Sequence, residues 1–241
     1  MEKKLIEVCF TPKDYSYFKG KFDVVVVIDV LRATSAICSA FHNGVKAVIP
    51  VETIEEAKDY QEKGYLVGAE RNGEIVQGFD FGNSPFSYLN PNLKGKEIVL
   101  STTNGTRAIQ IAADAPIVLI GSLINAEAII QKLAALNLNT VCLCSGWKDN
   151  FNLEDTICAG MIAESLIKNH NFTSNEDSTI AAKYLYLSAR DNYFGFLKSS
   201  SHRRRLKRLN LNEDIKYCLN PNQIHLVPIL KGTKIVLDSY N

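Results

Sequence analysis

The chain has 241 residues, of which 46% are hydrophobic and 22% charged, so it is long enough to bury a sizeable core. Its formal net charge of +1 provides no overall field that would attract nucleic acid or an anionic membrane. No apolar run approaches the roughly 20 residues of a membrane helix, and no signal peptide is recognisable. We expect a cytoplasmic protein that binds neither nucleic acid nor membrane, with its six scattered cysteines as reduced thiols.

The first third of the chain predicts strands and helices in alternation. Residues 22–29 contain four valines and an isoleucine, which predicts a strand buried on both faces. Apolar residues at helical spacing predict a helix from Ala33 to a glycine cap at Gly44, and 47–51 predicts a short strand. Thr53 and a glutamate three residues later form a capping-box pattern at the start of a second helix.

The middle of the chain changes character before the alternation resumes. After a short strand at 65–68, residues 69–92 are non-periodic and rich in Gly, Asn, Ser and Pro, which is typical of a functional loop. Strand–loop–helix units then follow over residues 98–113, 117–136 and 140–169. This pattern predicts the α/β class with a largely parallel sheet.

The last third is less regular. A polar break at 171–178 precedes a helix at 179–191, and strand patterns occur near 224–227 and 235–237. We predict a single domain over residues 1–241, with two closely packed lobes divided near 171–178 as the alternative.

The loop 101–107 (STTNGTR) lies between a predicted strand and a predicted helix, where α/β proteins bind ligands. Helix N-terminal amides suit a tetrahedral anion, and Gly105 allows a close approach of the backbone. The side chains that could add donors are Thr102, Thr103, Thr106 and Arg107. A helix cap with a tight turn is the structural alternative, because the same residue types favour it.

Carboxylates follow other strands of the predicted sheet. Asp29 ends the first buried strand, and Glu154 and Asp155 open a helix, where acidic residues also serve as ordinary dipole complements. Hard oxygen ligands from several loops at one sheet edge would suit Mg²⁺, and with an anion site they indicate phosphoryl chemistry. The sequence contains no Walker, cysteine-phosphatase, DxD-type, GxGxxG or zinc-site spacing.

Several short motifs, in order along the chain, resemble the 2-phosphosulfolactate phosphatase family, the ComB-type phosphatase of coenzyme M biosynthesis. They are DVLRATS (29–35), AER (69–71), GFDFGNSP (78–85), TTNGT (102–106), ED (154–155), and Ser201, His202 and Leu206 in the tail. The resemblance implies a ComB-like layered α/β/α domain with a largely parallel or mixed sheet. It also implies Mg²⁺-dependent hydrolysis of (R)-2-phospho-3-sulfolactate to 3-sulfolactate and phosphate.

Candidate roles follow from the motifs and their chemistry. The candidate catalytic residues are Asp29, Glu154, Asp155 and His202. The candidate metal ligands are Asp29, Glu70, Asp80 and Asp155. The candidate substrate-binding residues are Arg32, Thr34, Arg71, Asn83, Ser84, Thr102, Thr103, Asn104, Gly105, Thr106 and Arg107.

Structural alternatives for these residues stay open. The arginines could instead form ion pairs, Asn83 and Ser84 could shape the turn before Pro85, and His202 could hold the tail by a hydrogen bond. The mechanism is open between attack by an activated water and attack by Asp29.

The wider interpretation also has open alternatives. The basic run 202–208 is interpreted as a solvated helix face that could steer an anionic substrate. A homodimer is an open expectation. The alternatives to the phosphosulfolactate activity are a phosphatase for another small phosphorylated acid and a non-catalytic anion-binding α/β protein.

Overall fold

Eleven strands and nine α-helices alternate along residues 2–238, the part of the chain that the computed structural model describes. The strands are β1 (Lys4–Cys9), β2 (Val24–Ile28), β3 (Ala47–Pro50), β4 (Leu66–Arg71), β5 (Glu74–Ile75), β6 (Glu97–Ser101), β7 (Ile117–Gly121), β8 (Thr140–Cys144), β9 (Phe172–Thr173), β10 (Pro228–Lys231) and β11 (Lys234–Leu237). The helices are α1 (Ala33–His42), α2 (Ile54–Glu62), α3 (Gly105–Ala112), α4 (Ala126–Leu136), α5 (Leu153–Asn169), α6 (Asp177–Ala189), α7 (Tyr193–Phe196), α8 (Ser201–Arg208) and α9 (Asn212–Cys218).

The strands form one mixed sheet in the order β5-β4-β6-β3-β11-β10-β7-β2-β8-β1-β9. It contains two parallel blocks, β4-β6-β3 and β7-β2-β8-β1-β9. The antiparallel hairpin β10–β11 joins them, because β10 pairs with β7 and β11 pairs with β3. The α/β class and the layered arrangement with a mixed sheet are thus confirmed.

The valine-rich strand β2 is buried because both of its faces are covered. Val24, Val26 and Ile28 pack in a core with α4, α5 and α6, whereas Val25 and Val27 pack in a second core with α1 and α3. The second core also contains side chains of β3 and β6. The two parallel blocks therefore share a core, and the carboxyl ends of β2 and β6 come together.

Several predictions from local sequence patterns are confirmed. Thr53 and Glu56 form the expected capping box at the start of α2, with reciprocal side-chain-to-backbone bonds. All six cysteines are buried free thiols. Within residues 2–238, no helix combines the length and the apolar character that crossing a membrane requires.

Other element predictions need correction. The strand expected near 224–227 lies at β10, and the expected loop 69–92 contains the end of β4, strand β5 and the 3₁₀ turns Pro85–Leu89 and Pro91–Leu93. The polar break at 171–178 contains β9, and described residues on both sides of it belong to one hydrophobic core. No separation into lobes is visible there among the described residues.

Strand β1 has no counterpart among the elements predicted from the sequence. Its centre carries Glu7, a residue that weakens a buried-strand pattern. The Glu7 carboxylate is nevertheless buried, and it accepts hydrogen bonds from Ser174 Oγ (2.5 Å) and Thr179 Oγ1 (2.7 Å). A distant segment therefore satisfies this charge, which no local pattern could show.

Candidate active site

A cleft opens where the loops after β2, β6 and β8 meet the turn after β4 and helix α8. Its lining residues are Asp29, Leu31, Arg32, Glu70, Asn72, Gly73, Asn83, Asn104, Trp147, His202, Arg205 and Leu206. The sequence-derived candidates among them are Asp29, Arg32, Glu70, Asn83, Asn104 and His202. The cleft thus collects residues from five separate motifs.

Asp29 lies at the end of β2, with only 7% of its surface exposed. Its Oδ1 accepts a hydrogen bond from the main-chain amide of Ala33 (3.2 Å), the first residue of α1. The Thr34 hydroxyl accepts from the Asp29 amide (3.0 Å) and donates to the Asp29 carbonyl (2.8 Å). Thr34 therefore braces the turn that presents Asp29, and it is not among the residues that line the cleft.

The electrostatic surroundings of Asp29 favour its protonated form. Burial raises the pKa of the Asp29 carboxyl to about 6, from an ordinary value of 3.8. His202 and the Ala33 amide oppose this rise in pKa, while Glu70 and Glu154 add to it. A carboxylate with a pKa near 6 can exchange protons close to neutral pH.

Glu154 and His202 form a buried pair at one wall of the cleft. His202 Nδ1 lies 2.6 Å from Glu154 Oε1, and the His202 ring stacks beside Trp147 at a centroid distance of 5.3 Å. Because a carboxylate accepts, we assign the Nδ1 proton to this bond, which leaves Nε2 for the cleft. Glu154 is fully buried, and its Oε2 has no hydrogen-bond partner.

The Glu70 carboxylate lies at the end of β4 and is held by several donors. Gly73 N (2.5 Å) and Thr103 Oγ1 (3.2 Å) donate to Oε1, and Thr103 N donates to Oε2 at 3.2 Å. Asn83 Nδ2 lies 3.4 Å from Oε2, and Asn83 Oδ1 is buried without a partner. Thr103 is thus a positioning residue for Glu70.

The other threonines of the loop 101–107 bond to each other. The Thr102 hydroxyl accepts from the Thr106 amide (3.1 Å), and the Thr106 hydroxyl accepts from the Thr102 amide (3.0 Å). Both residues are buried, and neither lines the cleft. The loop contributes Asn104 to the cleft, whose Oδ1 accepts from the Lys148 amide (3.0 Å). The prediction that these threonines cradle an anion through their hydroxyls is not supported by this arrangement.

Gly105 begins α3 in direct contact with the turn that carries Asp29. A Cβ at Gly105 would lie 2.4 Å from Ala33 Cβ and 2.7 Å from Asp29 Oδ2. Glycine is therefore required at this position for the two helix starts to meet beside Asp29. Arg32 and Asn104, the residues that precede α1 and α3, line the cleft, so two partial positive helix ends lie beside it.

Asp155 has a structural role, although it is adjacent to Glu154. Its Oδ1 accepts from the Val30 amide (2.8 Å), and its Oδ2 accepts from the Gly146 amide (3.2 Å) and Asn152 Nδ2 (2.8 Å). Burial raises the pKa of Asp155, while the Val30 and Asn152 donors oppose the rise. Asp155 joins three loops and does not line the cleft, so the structure gives no support for its roles in catalysis and metal binding.

Asp80 lies away from the other candidate ligands. It is exposed, and its Oδ2 accepts from the amide of Val67, near the first residue of β4. Glu70 is near the opposite end of that strand. The expected metal site that includes both Asp80 and Asp29 is therefore not assembled.

All three candidate arginines already have partners within the protein. Arg32 is buried and forms an ion pair with Asp214 (2.8 Å), and Arg107 pairs with Asp149 (2.8 Å). Arg71 donates to main-chain carbonyl oxygens and to the Ser101 hydroxyl. Only Arg32 among these three lines the cleft, so Arg71 and Arg107 act as structural ties.

Ser84 lies beside the cleft but does not line it. It precedes the 3₁₀ turn Pro85–Leu89 and borders a neighbouring hollow that also contains Asn83. The turn-forming alternative for Ser84 is therefore the one that the geometry favours.

The basic helix α8 supplies cleft residues that sequence reasoning missed. Arg205 lies with its guanidinium 3.9 Å from the centre of the Trp147 ring, and both line the cleft. The interpretation of residues 202–208 as a solvated face is wrong for His202, Arg203 and Leu206, which are buried. The spacing of 202, 205 and 206 places these residues on one helix face, and that signal could have identified Arg205.

A magnesium ion in this cleft would have few protein ligands, and its other coordination positions would be left for substrate and water. Within residues 2–238, no group of three or more His, Cys, Asp or Glu side chains is arranged to hold a metal ion. Mg²⁺ commonly uses one or two carboxylates together with substrate phosphate and water. Asp29 and Asn83, whose Oδ1 has no hydrogen-bond partner, both line the cleft and fit that type of site, and a closed protein cage is not present in the described residues.

Comparison with known proteins agrees with the motifs. Residues 9–233 match the family model described as 2-phosphosulpholactate phosphatase. A protein named probable 2-phosphosulfolactate phosphatase from Caldanaerobacter subterraneus subsp. tengcongensis is 41% identical over 212 residues, which cover 86% of this chain and 88% of that protein. Proteins with the same name from Clostridium acetobutylicum and Clostridium novyi are each 39% identical, with coverages of 92% and 95% of this chain and 96% and 98% of those proteins. The chain therefore belongs to the 2-phosphosulfolactate phosphatase family, whose name describes phosphoric monoester hydrolases.

Proposed function

We propose that the protein hydrolyses 2-phospho-3-sulfolactate to 3-sulfolactate and phosphate, with Mg²⁺ as its cofactor. The names of the relatives support the substrate. The observation that carries the proposal is that Asp29 and His202 line one cleft, with His202 held from behind by the buried Glu154. A carboxylate and a histidine held in this way are the groups that phosphoester hydrolysis by general acid–base catalysis requires.

The cleft also suits a phosphate group. The N-termini of α1 and α3 and the cation of Arg205 favour an anion, whereas the carboxylates of Asp29, Glu70 and the nearby Glu154 would repel an unaccompanied one. Mg²⁺, when bound, would neutralise part of the phosphate charge and polarise the phosphorus–oxygen bonds. Asp29 is the residue that would hold it, together with Asn83, which also lines the cleft and whose Oδ1 has no hydrogen-bond partner.

The chain's own residues can perform the proton transfers. We propose that Asp29 orients the attacking water and accepts its proton. His202 Nε2 donates a proton to the leaving oxygen of the sulfolactate. For this step the imidazole carries a proton on both ring nitrogens, and Glu154 orients the ring by accepting the hydrogen bond from Nδ1.

Attack by Asp29 on phosphorus is the alternative to attack by water. A single in-line displacement by water inverts the configuration at phosphorus, whereas two successive displacements through an aspartyl phosphate retain it. Hydrolysis of a substrate with a chiral, isotopically labelled phosphate would distinguish them. We expect inversion, and retention would assign Asp29 as the nucleophile.

The function is tested by phosphate release from 2-phospho-3-sulfolactate with Mg²⁺ and with EDTA. We expect rapid release that EDTA abolishes, and loss of release in Asp29→Asn. Asp80→Asn is the matched control, because Asp80 is an exposed carboxylate away from the cleft. Thermal stabilisation by the compound without release would instead support the non-catalytic anion-binding alternative. Faster release from another phosphorylated acid would change the substrate and, with it, the coenzyme M assignment that the resemblance implies.

A further inference from the structure

Arg205 is a cation of the cleft with an unused hydrogen-bond donor. Its Nη2 is buried and has no hydrogen-bond partner, and its guanidinium lies on the Trp147 ring. Burial lowers the pKa of Arg205, while the nearby Glu154 carboxylate raises it. A buried, unpaired donor is costly, and a bound acceptor would remove that cost.

The other arginine that lines the cleft is less available to a ligand. Arg32 forms an ion pair with Asp214, and its Nη2 donates to the Gly73 carbonyl (2.8 Å). Only its Nε lacks a partner among the Arg32 nitrogens. Arg205 has no carboxylate within ion-pair distance in the described part of the chain, so its charge is available to a ligand.

The proposed substrate carries more negative charge than its phosphate. It has a carboxylate and a sulfonate on neighbouring carbons, and neither takes part in the reaction. A sulfonate is a large, weakly hydrated anion, and it matches a guanidinium, which is also weakly hydrated and stacks on aromatic rings. Arg205 follows His202 by three residues on α8, so the two side chains are neighbours on one helix face.

We propose that Arg205, supported by Trp147, binds the sulfonate of the substrate and makes the enzyme selective for sulfonated phosphoesters. This proposal rests on the proposed function, because it places the leaving oxygen at His202 and the sulfonate one step further along the same helix face. The phosphate is then held at the Asp29 side of the cleft. Arg205 is thus a specificity-determining residue that acts on a group remote from the reacting phosphorus.

The test compares 2-phospho-3-sulfolactate with 2-phospholactate, which keeps the phosphate and carboxylate but lacks the sulfonate. In Arg205→Gln we expect kcat/KM for the sulfonated compound to fall about 10- to 100-fold. For 2-phospholactate we expect a change of less than about threefold, because the lost contact is absent from that substrate. An equal fall for both compounds would overturn the proposal, since it would place Arg205 at the phosphate, at the carboxylate or in the fold.

Two further variants control for structure and charge. Arg205→Lys keeps the charge but loses the planar fork, so we expect its selectivity to lie between those of the wild type and Arg205→Gln. Arg204→Gln removes an exposed arginine from the adjacent position and should match the wild type on both compounds. Thermal unfolding of all variants reports whether removal of the Arg205–Trp147 contact unfolds the protein.

Calorimetric binding separates this proposal from the proposed function. We expect 3-sulfolactate to bind the wild type and Arg204→Gln, and to bind Arg205→Gln about 10- to 100-fold more weakly. Lactate serves as the comparison ligand without a sulfonate. If the wild type hydrolyses neither phosphoester, the proposed function fails, and this difference in 3-sulfolactate binding still supports the subsite. Equal binding of 3-sulfolactate to Arg205→Gln and to the wild type, or no binding to either protein, would overturn the proposed sulfonate subsite.

Discussion

The threonine-rich loop 101–107 and the basic helix α8 differ in a way that their sequences conceal. The loop has the composition of an anion site, yet Thr102 and Thr106 satisfy each other. The helix has the composition of a solvated face, yet His202 and Arg205 line the cleft, and Arg205 keeps an unpartnered donor. Composition shows which groups a segment could offer, whereas the folded structure shows which of them are still available to a ligand.

The largest loss of activity is expected from substitutions on the face of α8 that lines the cleft. His202→Asn removes the proposed proton donor, and we expect kcat to fall by about 10²- to 10⁴-fold, with a smaller change in KM. Glu154→Gln, which keeps an oxygen for the imidazole but removes the charge, should lower kcat less. Steady-state kinetics at saturating Mg²⁺ measures both. A loss below tenfold in His202→Asn would show that α8 does not supply the acid.

The next effect concerns Asp29, which contacts Gly105 of the loop and interacts electrostatically with His202. The pKa of Asp29 is raised to about 6 in the folded protein, so folding favours the protonated carboxyl. The contribution of this group to the free energy of unfolding is therefore complete below about pH 4 and is lost as the pH rises through about 6. Asp29→Asn should therefore unfold less readily than the wild type at pH 8, by up to about 3 kcal/mol. The gain should vanish near pH 4.

Urea unfolding of the two proteins in EDTA at pH 4, 6 and 8 measures this difference. The EDTA removes any stabilisation by a bound metal ion, so that only the carboxyl group differs between the samples. A wild type that is more stable than Asp29→Asn at pH 8 would show that the carboxylate is favourably paired in the folded state. Such a result would also remove the basis for a proton acceptor near neutral pH.

A smaller effect is expected in the loop. Thr102→Val or Thr106→Val leaves a buried main-chain amide without its acceptor, which costs about 1–3 kcal/mol of unfolding free energy. We expect kcat/KM of the folded fraction to change less than about threefold, because these side chains do not line the cleft. Thr233→Val, at an exposed turn, is the control. A large loss of activity at unchanged stability would restore the hydroxyls as ligands.

The smallest effect is expected on the outer face of α8. Lys207 is exposed, and Lys207→Gln should change stability by less than about 0.5 kcal/mol. Any decrease in kcat/KM should be below about threefold at low salt and should disappear at high salt, because only electrostatic steering is lost. A decrease in kcat/KM that persists at high salt would indicate that Lys207 contacts the substrate directly. The outer face of α8 would then bind substrate as the cleft face does.

Hydrophobic periodicity and capping patterns predict the local elements well. The buried strand β2 and the cap of α2 depend on neighbours in sequence, so a local pattern suffices for them. Strand β1 was not predicted because the partners of its Glu7 lie more than 160 residues away in the chain. The position of Asp29 and Asn104 at one site could also be inferred, since both follow strands.

The difference between Glu154 and Asp155 could not be predicted. The two carboxylates are neighbours at the start of α5, and either residue type could serve in catalysis or structure. The outcome depends on which amides the fold brings near each one. Asp155 receives those of Val30 and Gly146, whereas Glu154 faces His202 and keeps an oxygen without a partner.

The hairpin β10–β11 has a consequence for synthesis of the chain. Residues 228–237 follow the other strands in sequence, yet they lie between β3 and β7 at the centre of the sheet. A nascent chain therefore exposes two unpaired inner edges until the hairpin has left the ribosome, and such edges favour aggregation. A chain ending at residue 227 should accumulate in inclusion bodies, which a solubility assay would detect. The pairing of the central strands is thus expected to be completed only after residues 228–237 have been translated.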